Sequence, residues 1–514
     1  MVLVEAKNYR FTYPEQPEPA LDISDLTIEK GSFTLLTGES GSGKTTLLRQ
    51  LAGEDMLQGN EEGELNKKYK SHAYVWQNPS AQIVTDRVAY EIVFGLENMG
   101  MEKPQMQRRL AEVVTFFGLE ELLERDTMKL SGGEMQTLNV AAAIAMNPEL
   151  LLLDEPFSQL DPVAVHRLLE FLRRINEELG ITILIAEQRI EDILALADWM
   201  IIMSEGRIQI QGTPKEVLEN WPKTDDLSYF PSFVRLYYEL TEKNQVPLSA
   251  KEARRWFEDT FIPVNKEKEI SKPKASGEKI VCRDIWFRYE KKMPDALREC
   301  SFEIPKKSIT CLAGGNGSGK TTLLFVLYDR YKSYHGKIKN MPETCSLLPQ
   351  QPEYLFLRDS VEEECRHISG AKELACRFGL EKLFSKNPAD LSGGEKQRLG
   401  LALVLSKEAE CFLLDEPTRG LDAAAKKVLT GVLQGLKQQG KTIFFVSHDM
   451  EFAAGCTDYM ALMFQGKVEL LTDTRSFFEE NQFYTTGVNR ICRGISKHII
   501  TQEDAHIYAK EKCD

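Results

Sequence analysis

The sequence predicts an α/β fold that occurs twice in tandem. The first observation is an internal repeat, in which LLTGESGSGKTTLL and KLSGGEMQTL return later, in the same order, as CLAGGNGSGKTTLL and DLSGGEKQRL. The second is that short apolar runs such as ELLLLD and KTIFFV alternate with amphipathic stretches such as VHRLLEFLRRINEEL. Apolar strands that alternate with helices indicate a mainly parallel sheet covered on both faces.

Length and composition agree with two globular copies of one domain. A chain of 514 residues is too long for one ordinary core, and its 42% hydrophobic and 28% charged residues are typical of soluble globular proteins. The sequence contains no uninterrupted apolar stretch of about 18 residues that could span a bilayer. Its first residues, MVLVEAKNYRFTYP, lack the basic-then-apolar layout of a secretory signal. We therefore expect a cytosolic protein.

Cysteine usage and net charge argue against a disulfide-rich, zinc-binding or nucleic-acid-binding protein. All ten cysteines lie at or after Cys282, unevenly spaced and without a C-x-x-C pair, which favours free thiols over a disulfide framework or a zinc ribbon. The formal net charge is −14. Proteins that bind nucleic acid generally present a basic surface to phosphates, so we expect no nucleic-acid partner.

The repeat also predicts the domain boundaries. Each copy is followed by a similar tail, FVRLYYELTEKNQVPLSAKEARRWFE after the first and GVNRICRGISKHIITQEDAHIYAKE after the second. Between the copies, PVNKEKEISKPKASGEK is polar, charged and interrupted by Pro and Gly, a composition typical of linkers. The predicted order is a first domain 1–222, its C-terminal extension 223–262, a linker 263–278, a second domain 279–476 and its extension 477–514.

Two glycine-rich loops predict nucleotide binding. Both fit G-x-x-x-x-G-K-[ST] after an apolar strand, so that backbone N–H groups and the following helix N-terminus can hold phosphate oxygens. A lysine then meets the β and γ phosphates, and a threonine can bind Mg²⁺. A glycine-rich turn that binds nothing is the alternative, but two loops in matching contexts argue against it. The loops are Gly38, Glu39, Ser40, Gly41, Ser42, Gly43, Lys44, Thr45 and Thr46, and Gly314, Gly315, Asn316, Gly317, Ser318, Gly319, Lys320, Thr321 and Thr322.

Each loop is followed at a distance by an apolar strand that ends in two acids. LLLLDEP supplies Asp154 and Glu155, and CFLLDEP supplies Asp415 and Glu416. The first acid of each pair suits a direct or water-mediated Mg²⁺ contact, and the second can polarise an attacking water. Such a pair could merely cap the next helix, but the upstream loops favour phosphoryl transfer to water.

At LSGGE, present twice, the sequence resembles the signature motif of ATP-binding-cassette (ABC) ATPases. The resemblance covers nearly the whole chain, and the family's other landmarks follow in order. It implies that Tyr13 and Tyr289 stack on adenine. It makes Gln77 and Gln350 the Q-loop glutamines, which can bind Mg²⁺, and His448 the switch histidine. The fold class implied is two tandem P-loop ATP-binding cassettes, each with a parallel-sheet core, a helical signature subdomain and a short C-terminal helical extension.

The signature motifs imply composite sites with ATP and Mg²⁺ as cofactors. Each motif opens a helix, so its serine hydroxyl, glycine amides and helix dipole form a second anion receptor. By the resemblance, this receptor closes over the nucleotide of the opposite cassette, and one chain can form both sites because its linker keeps the cassettes close. The first site would combine Lys44, Thr45, Gln77, Asp154, Glu155 and Gln188 with Ser392, Gly393 and Gly394. The second would combine Lys320, Thr321, Gln350, Asp415, Glu416 and His448 with Ser131, Gly132 and Gly133. The expected Mg²⁺ ligands are Thr45, Gln77, Asp154, Thr321, Gln350 and Asp415.

The segment YVWQNPSAQIVTDRVAYEIVFGLENMGM resembles the Q-loop region of energy-coupling-factor (ECF) importer ATPases, and LPQQPEYLFLRDSVEEE is a weaker second version. The resemblance implies a peripheral protein on the cytoplasmic face of the membrane. Its partners would be an integral membrane coupling subunit and a small membrane protein that captures a vitamin, a vitamin precursor or a transition-metal ion. An ordinary amphipathic helix is the alternative interpretation of AYEIVFGLENMGM.

Other functions remain open at this point. One is the fused ATPase of a sugar importer, which differs in its membrane partner. Another is a ribosome-associated translation factor, which would carry a long, charged helical arm between the cassettes; the short linker and acidic chain argue against it. A structural pair that does not hydrolyse ATP is a third, against which both Glu155 and Glu416 argue.

One difference between the copies predicts unequal sites. In ITILIAEQRIED and KTIFFVSHDMEF, Gln188 aligns with His448. Imidazole can change protonation near neutral pH, whereas an amide can donate a hydrogen bond but cannot titrate. We expect slower hydrolysis at the first site, with equal turnover as the alternative if Gln188 bonds the phosphate well enough.

Overall fold

The computed structural model describes residues 1–14, 16–39, 41–53, 57–158, 160, 162–188, 190–222, 227, 230–241, 245–264 and 277–512. The chain divides into two compact units, Met1–Ser249 and Ala250–Asp514. The division falls inside the stretch 223–262, which the sequence predicts to be one extension. The predicted linker lies mostly on residues outside the described ones, and the predicted boundaries stay predictions.

The first unit alternates strands and helices as the sequence predicts. Its strands are β1 Val2–Thr12, β2 Leu21–Glu29, β3 Phe33–Gly38, β4 Asn60–Lys67, β5 His72–Val75, β6 Leu150–Asp154, β7 Thr182–Ala186, β8 Trp199–Ser204 and β9 Arg207–Gly212. Its helices are α1 Lys44–Ala52, α2 Pro79–Gln82, α3 Val88–Asn98, α4 Lys103–Phe117, α5 Gly132–Ala145, α6 Pro162–Leu179, α7 Pro214–Asn220 and α8 Ser232–Leu240.

The main sheet of the first unit has the strand order β5-β6-β7-β3-β8-β9. All neighbours are parallel except β8 and β9. Every residue of β3, β6 and β7 is buried, which explains why these strands are continuous apolar runs in the sequence. A second, antiparallel sheet has the order β2-β1-β4, and the buried side chains of β1 and β2 share a core with α1.

The second unit repeats this architecture. Its strands are β10 Phe261–Pro263, β11 Lys279–Phe287, β12 Leu297–Pro305, β13 Ile309–Gly314, β14 His335–Lys339, β15 Cys345–Leu348, β16 Cys411–Asp415, β17 Thr442–Val446, β18 Tyr459–Phe464, β19 Lys467–Asp473 and β20 Ala509–Glu511. Its helices are α9 Ala250–Thr260, α10 Lys320–Leu327, α11 Val361–Arg366, α12 Ala371–Arg377, α13 Gly393–Leu405, α14 Ala423–Gln438, α15 Met450–Cys456, α16 Thr474–Glu480, α17 Gly487–Cys492 and α18 Gln502–Tyr508.

The sheets of the second unit match those of the first strand for strand. The main sheet runs β15-β16-β17-β13-β18-β19, and the antiparallel sheet runs β12-β11-β14. The central strands β13, β16 and β17 are again buried throughout. The predicted α/β fold of two tandem cassettes with parallel-sheet cores is therefore confirmed.

The C-terminal part of the second unit incorporates chain from before the linker. Helix α9 packs against α17, and the Arg254 guanidinium donates to the Arg490 carbonyl at 2.8 and 3.2 Å. Strand β10 pairs antiparallel with β20. The side chains of Ala253 and Phe257 are fully buried, so α9 belongs to the core of this unit. Among the described residues, no helix is long and apolar enough to cross a bilayer.

Candidate nucleotide-binding and hydrolysis sites

The two glycine-rich loops connect β3 to α1 and β13 to α10. A side chain at their first glycines would be impossible, because a Cβ at Gly38 would lie 2.1 Å from the Met203 carbonyl oxygen and one at Gly314 2.4 Å from that of Met463. The backbone is thus pressed against the next strand, which leaves the outer side of the loop open. Exposed or half-buried loop residues are Glu39, Gly41, Gly43, Thr45 and Thr46, and Gly315, Asn316, Gly317, Gly319 and Thr321. The loop residues Ser42, Ser318 and Thr322 are buried. The predicted loop residue Ser40 lies outside the described residues.

The loop lysines are held by the loops themselves. Lys44 Nζ donates to the carbonyl oxygens of Gly38 and Glu39 at 2.8 and 2.7 Å. Lys320 Nζ donates to those of Gly314 and Gly315, both at 2.9 Å. Burial lowers the pKa of Lys44, and the carboxylates of Glu155 and Asp154 oppose that shift. Each ammonium group is therefore held inside its own glycine-rich loop.

Two of the three predicted Mg²⁺ ligands of the first unit, Thr45 and Asp154, are in contact, whereas Gln77 bonds Glu155. Thr45 Oγ1 donates to Asp154 Oδ1 at 3.2 Å, and the Tyr74 hydroxyl donates to Asp154 Oδ2 at 3.0 Å. In the second unit, neither carboxylate oxygen of Asp415 accepts a hydrogen bond from the described residues. Burial raises the pKa of Asp415 to about 6, while the nearby Thr321 hydroxyl opposes the shift without a hydrogen bond of normal geometry.

These acidic centres fit a divalent cation. Burial raises the pKa of Asp154 and of Glu155, and it raises that of Glu416, with the Asp415 charge as a further cause. A buried carboxylate without a full set of partners is costly, and a hard cation with oxygen ligands removes that cost. Both carboxylate oxygens of Asp415 are buried without a hydrogen-bond donor among the described residues, so they could bind a cation. The residues present therefore fit Mg²⁺.

The two predicted water-polarising glutamates share an unusual backbone. Glu155 has φ 44° and Glu416 has φ 48°, in the left-handed region that costs a residue with a side chain on the order of 1–2 kcal/mol. Their amides donate to the carbonyls of Ala186 and Val446 at 2.8 and 3.0 Å, across the next strand of the sheet. The same strain occurs at the same place in both units, directly after the last residue of β6 and of β16.

The carboxylates themselves have different partners. Glu155 accepts the amide groups of Gln77 at 2.6 Å and Gln188 at 2.8 Å. Glu416 accepts the backbone N–H of His448 at 3.3 Å, and His448 Nε2 lies 3.5 Å from Glu416 Oε1. Gln350 makes no hydrogen bond to Glu416 within the described part of the chain. In the first unit, Gln77 and Gln188 thus both donate to the carboxylate of Glu155. In the described part of the second unit, Gln350 and His448 do not meet on Glu416 in this way.

The signature motifs begin helices α5 and α13 as predicted. Ser131 and Ser392 are the N-caps, and each forms a reciprocal capping box with the glutamate three residues later, Glu134 or Glu395. The glycines Gly132, Gly133, Gly393 and Gly394 form the first turns. That the glycine amides of these turns bind an anion stays a prediction.

The tyrosines expected to stack on adenine lie beside the loops. The hydroxyls of Tyr13 and Thr46 are 3.1 Å apart, and those of Tyr289 and Thr322 are 2.7 Å apart. Tyr13 also lines an open surface depression of about 500 Å³, and 53% of Tyr289 is exposed. A flat ring next to the phosphate loop is thus accessible in each unit.

Sequence reasoning missed two residues of the first site. Tyr74 binds the predicted Mg²⁺ ligand Asp154, and the buried carboxylate of Glu187 accepts the backbone N–H groups of Phe157 and Gln188. The alignment that singles out Gln188 also pairs Glu187 with Ser447, and this second difference was the available signal.

Comparisons with known proteins agree with this geometry. A family model described as ABC transporter matches residues 21–158 and 297–419. A protein from Bacillus anthracis, named in general terms as an ABC transporter ATP-binding protein, is 36% identical over 98% of this chain and 97% of its own. A similarly named protein from Methanosarcina mazei is 30% identical over 91% of this chain and 88% of its own.

Solved structures give the same fold. One titled RNase-L Inhibitor superposes with a TM-score of 0.61 at 21% identity, covering 98% of this chain and 96% of its own. A complex of an archaeal ribosome recycling factor gives 0.59 at 22% identity, covering 92% and 90%. At these identities the structures show the fold alone. The family model and the relatives go further: the chain belongs to the ABC transporter ATP-binding proteins, and it is an ATPase with two cassettes that uses ATP with Mg²⁺.

Proposed function

We propose that this ATPase drives an ECF-type importer. It would bind the cytoplasmic face of an integral membrane coupling subunit, which in turn carries a small membrane protein that captures a vitamin, a vitamin precursor or a transition-metal ion. The support is the resemblance of the Q-loop segment to that group, together with an apolar surface that this segment presents.

The apolar surface is the observation that carries the proposal. Five large apolar side chains are exposed within 24 residues of one another, from the end of β5 to the end of α3; we call them the docking surface, and they are Trp76, Val84, Tyr90, Phe94 and Met99. Val84 is 66% exposed and Met99 is 59% exposed. Exposed apolar residues that lie close together indicate an interaction surface, whereas single scattered ones are normal on a monomer.

The second unit repeats part of this surface. Aligning Gln77 with Gln350 places Val84 opposite Leu357, which is 84% exposed. Tyr354, earlier in the same segment, is 77% exposed. Exposed apolar side chains at equivalent positions of the two cassettes, Val84 and Leu357, favour a partner that contacts both cassettes, as a membrane subunit would.

The docking surface begins next to a residue that touches the hydrolytic centre. Trp76 precedes Gln77, whose amide donates to Glu155. A partner that displaces this segment would therefore move the amide that orients the carboxylate. The contact offers a direct physical link between transport and hydrolysis in the first cassette.

Within each site we assign the following roles. Lys44 and Lys320 hold the β and γ phosphates, and bound Mg²⁺ neutralises charge that develops on the phosphate oxygens. Glu155 and Glu416 orient and polarise the attacking water. Gln188 and His448 orient the glutamates. The signature residues Ser131 to Gly133 and Ser392 to Gly394 would close over the nucleotide of the opposite cassette.

The experiment is affinity purification of the tagged full-length chain from gently solubilised native membranes, followed by mass spectrometry. An ECF assembly predicts one coupling subunit and at least one small, multi-span capture protein. Recovery with ribosomes and no integral membrane protein would overturn the importer, and a sugar-type permease pair would overturn the ECF class.

A paired variant tests the docking surface in the same assay. Val84→Ser with Leu357→Ser should lower recovery of the membrane subunits about tenfold or more, because burying a Val or Leu side chain against a partner contributes about 1.5–3 kcal/mol. The matched control is Phe483→Ser, which alters a side chain of 84% exposure outside this segment. Unchanged recovery in the paired variant contradicts the assigned surface.

A further inference from the structure

A buried carboxylate beside the first hydrolytic centre has no role in the mechanism above. Glu187 directly follows β7 and is 3% exposed. Its Oε1 accepts the backbone N–H of Phe157 at 2.8 Å, and its Oε2 accepts that of Gln188 at 3.2 Å. Glu187 is also one of the carboxylates that raise the pKa of Lys44 against the effect of burial, so its charge acts on the nucleotide loop.

These hydrogen bonds close a ring around Glu155. Phe157 lies two residues after Glu155, and Gln188 returns to Glu155 Oε1 with its side-chain amide at 2.8 Å. One carboxylate thus binds both the turn that carries the water-polarising glutamate and the loop that carries its amide partner. Loss of the ring would free the two loops to shift relative to each other.

The second unit makes the same connection with different chemistry. Phe157 aligns with Thr418 and Glu187 aligns with Ser447. The Thr418 and Ser447 hydroxyls are 3.2 Å apart, at 6% and 0% exposure. Phenylalanine has no hydroxyl, so a serine at position 187 would have no side-chain partner at 157. The two positions therefore differ between the cassettes as a pair.

We propose that Glu187 is a positioning residue of the first nucleotide site, which holds Glu155 and Gln188 in register by binding the backbone of both loops. A serine can replace it only when residue 157 supplies a hydroxyl. The inference depends on the assigned role of Glu155 and is independent of the membrane partner.

The test uses the full chain carrying Glu416→Gln, so that hydrolysis reports the first site. Single-turnover hydrolysis of ATP and the affinity for a fluorescent ATP analogue are both measured. Glu187→Ser should lower the hydrolysis rate about ten- to a hundredfold, the scale of a small misplacement of catalytic groups, with the affinity changed less than about twofold. Phe157→Thr alone keeps the backbone N–H donor but truncates a buried ring, so its rate is the reference for the double variant.

The decisive variant is Phe157→Thr with Glu187→Ser, which copies the second cassette and should recover the rate to within about threefold of Phe157→Thr. If Glu187→Ser destabilises the fold, Glu187→Gln serves instead, because its amide oxygen accepts one of the two N–H groups; its rate should fall between the wild type and full loss. A normal rate in Glu187→Ser or Glu187→Gln overturns the proposal. So does an equal loss of affinity and rate, or a double variant no faster than Glu187→Ser.

Discussion

Gln188 and His448 occupy equivalent positions but contact their glutamates differently. The Gln188 side chain donates to Glu155 at 2.8 Å, whereas His448 contributes its backbone N–H at 3.3 Å and holds its ring nitrogen 3.5 Å from Glu416. The side-chain amide of Gln188 is hydrogen-bonded to the Glu155 carboxylate and cannot titrate. An imidazole can in general gain or lose a proton near neutral pH, which a carboxamide cannot do.

We therefore expect the second site to hydrolyse ATP faster. Glu155→Gln, which leaves only the second site, should retain at least about ten times the steady-state activity of Glu416→Gln, since general acid–base assistance is worth about 10²- to 10⁴-fold when fully realised.

The control is His448→Gln in the Glu155→Gln background, which should lower the rate to that of Glu416→Gln. Equal residual rates in the two single glutamate variants would mean that the histidine serves geometry alone.

At this scale the sequence predicts positions better than partnerships. Motif spacing locates both loops, both acid pairs and both capping serines. It does not show that Gln77 and Gln188 meet on one carboxylate, or that Arg398 lies 3.7 Å from Asp422, because such contacts join residues that the fold alone brings together. Long-range side-chain contacts follow from packing, which local patterns do not encode.

Among the elements, helices α3 and α11 each use a buried glutamate to hold the preceding turn. Glu91, 7% exposed, accepts the N–H of Val84 and, at 2.7 Å, the N–H of Thr85. Glu364, 8% exposed, accepts the N–H of Leu357 and, at 2.6 Å, that of Arg358. Val84 of the docking surface and its counterpart Leu357 in the second unit thus each lie on a turn that a buried glutamate holds, although the sequence shows only an amphipathic helix.

We expect Glu91→Ala to loosen this turn and leave ATP binding intact. Loss of the carboxylate leaves the backbone N–H groups of the turn without an acceptor, which costs about 1–3 kcal/mol if they stay buried. The turn should therefore open and expose them to water. Hydrogen–deuterium exchange of residues 83–87 should accelerate about tenfold or more, and the same holds for 356–360 in Glu364→Ala. Glu97→Ala, an exposed glutamate on α3, is the control and should leave the exchange unchanged. Unaltered protection in Glu91→Ala would show that the turn is held by its own backbone.

For the whole molecule, the repeat in the sequence predicts the architecture, but not where the chain is divided. Both copies and their alternating strands and helices are visible as patterns. The grouping of α9 and β10 with the second unit is not, because β10 pairs with β20 across about 250 residues of sequence. Short amphipathic helices carry no information on which core they complete.

This grouping predicts that a residue before the linker stabilises the unit after it. Phe257 on α9 is fully buried in the second unit, and all ten cysteines of the chain lie in that unit by sequence. Thiol labelling therefore reports opening of the second unit alone. Phe257→Ala removes a buried aromatic side chain, which typically costs about 3–5 kcal/mol, so labelling of the buried thiols in mild denaturant should accelerate strongly.

Phe233→Ala removes an equally buried ring from α8 of the first unit and is the matched control. It should lower the stability of the protein without speeding thiol labelling. The same labelling rate in both variants would place the division between the units elsewhere.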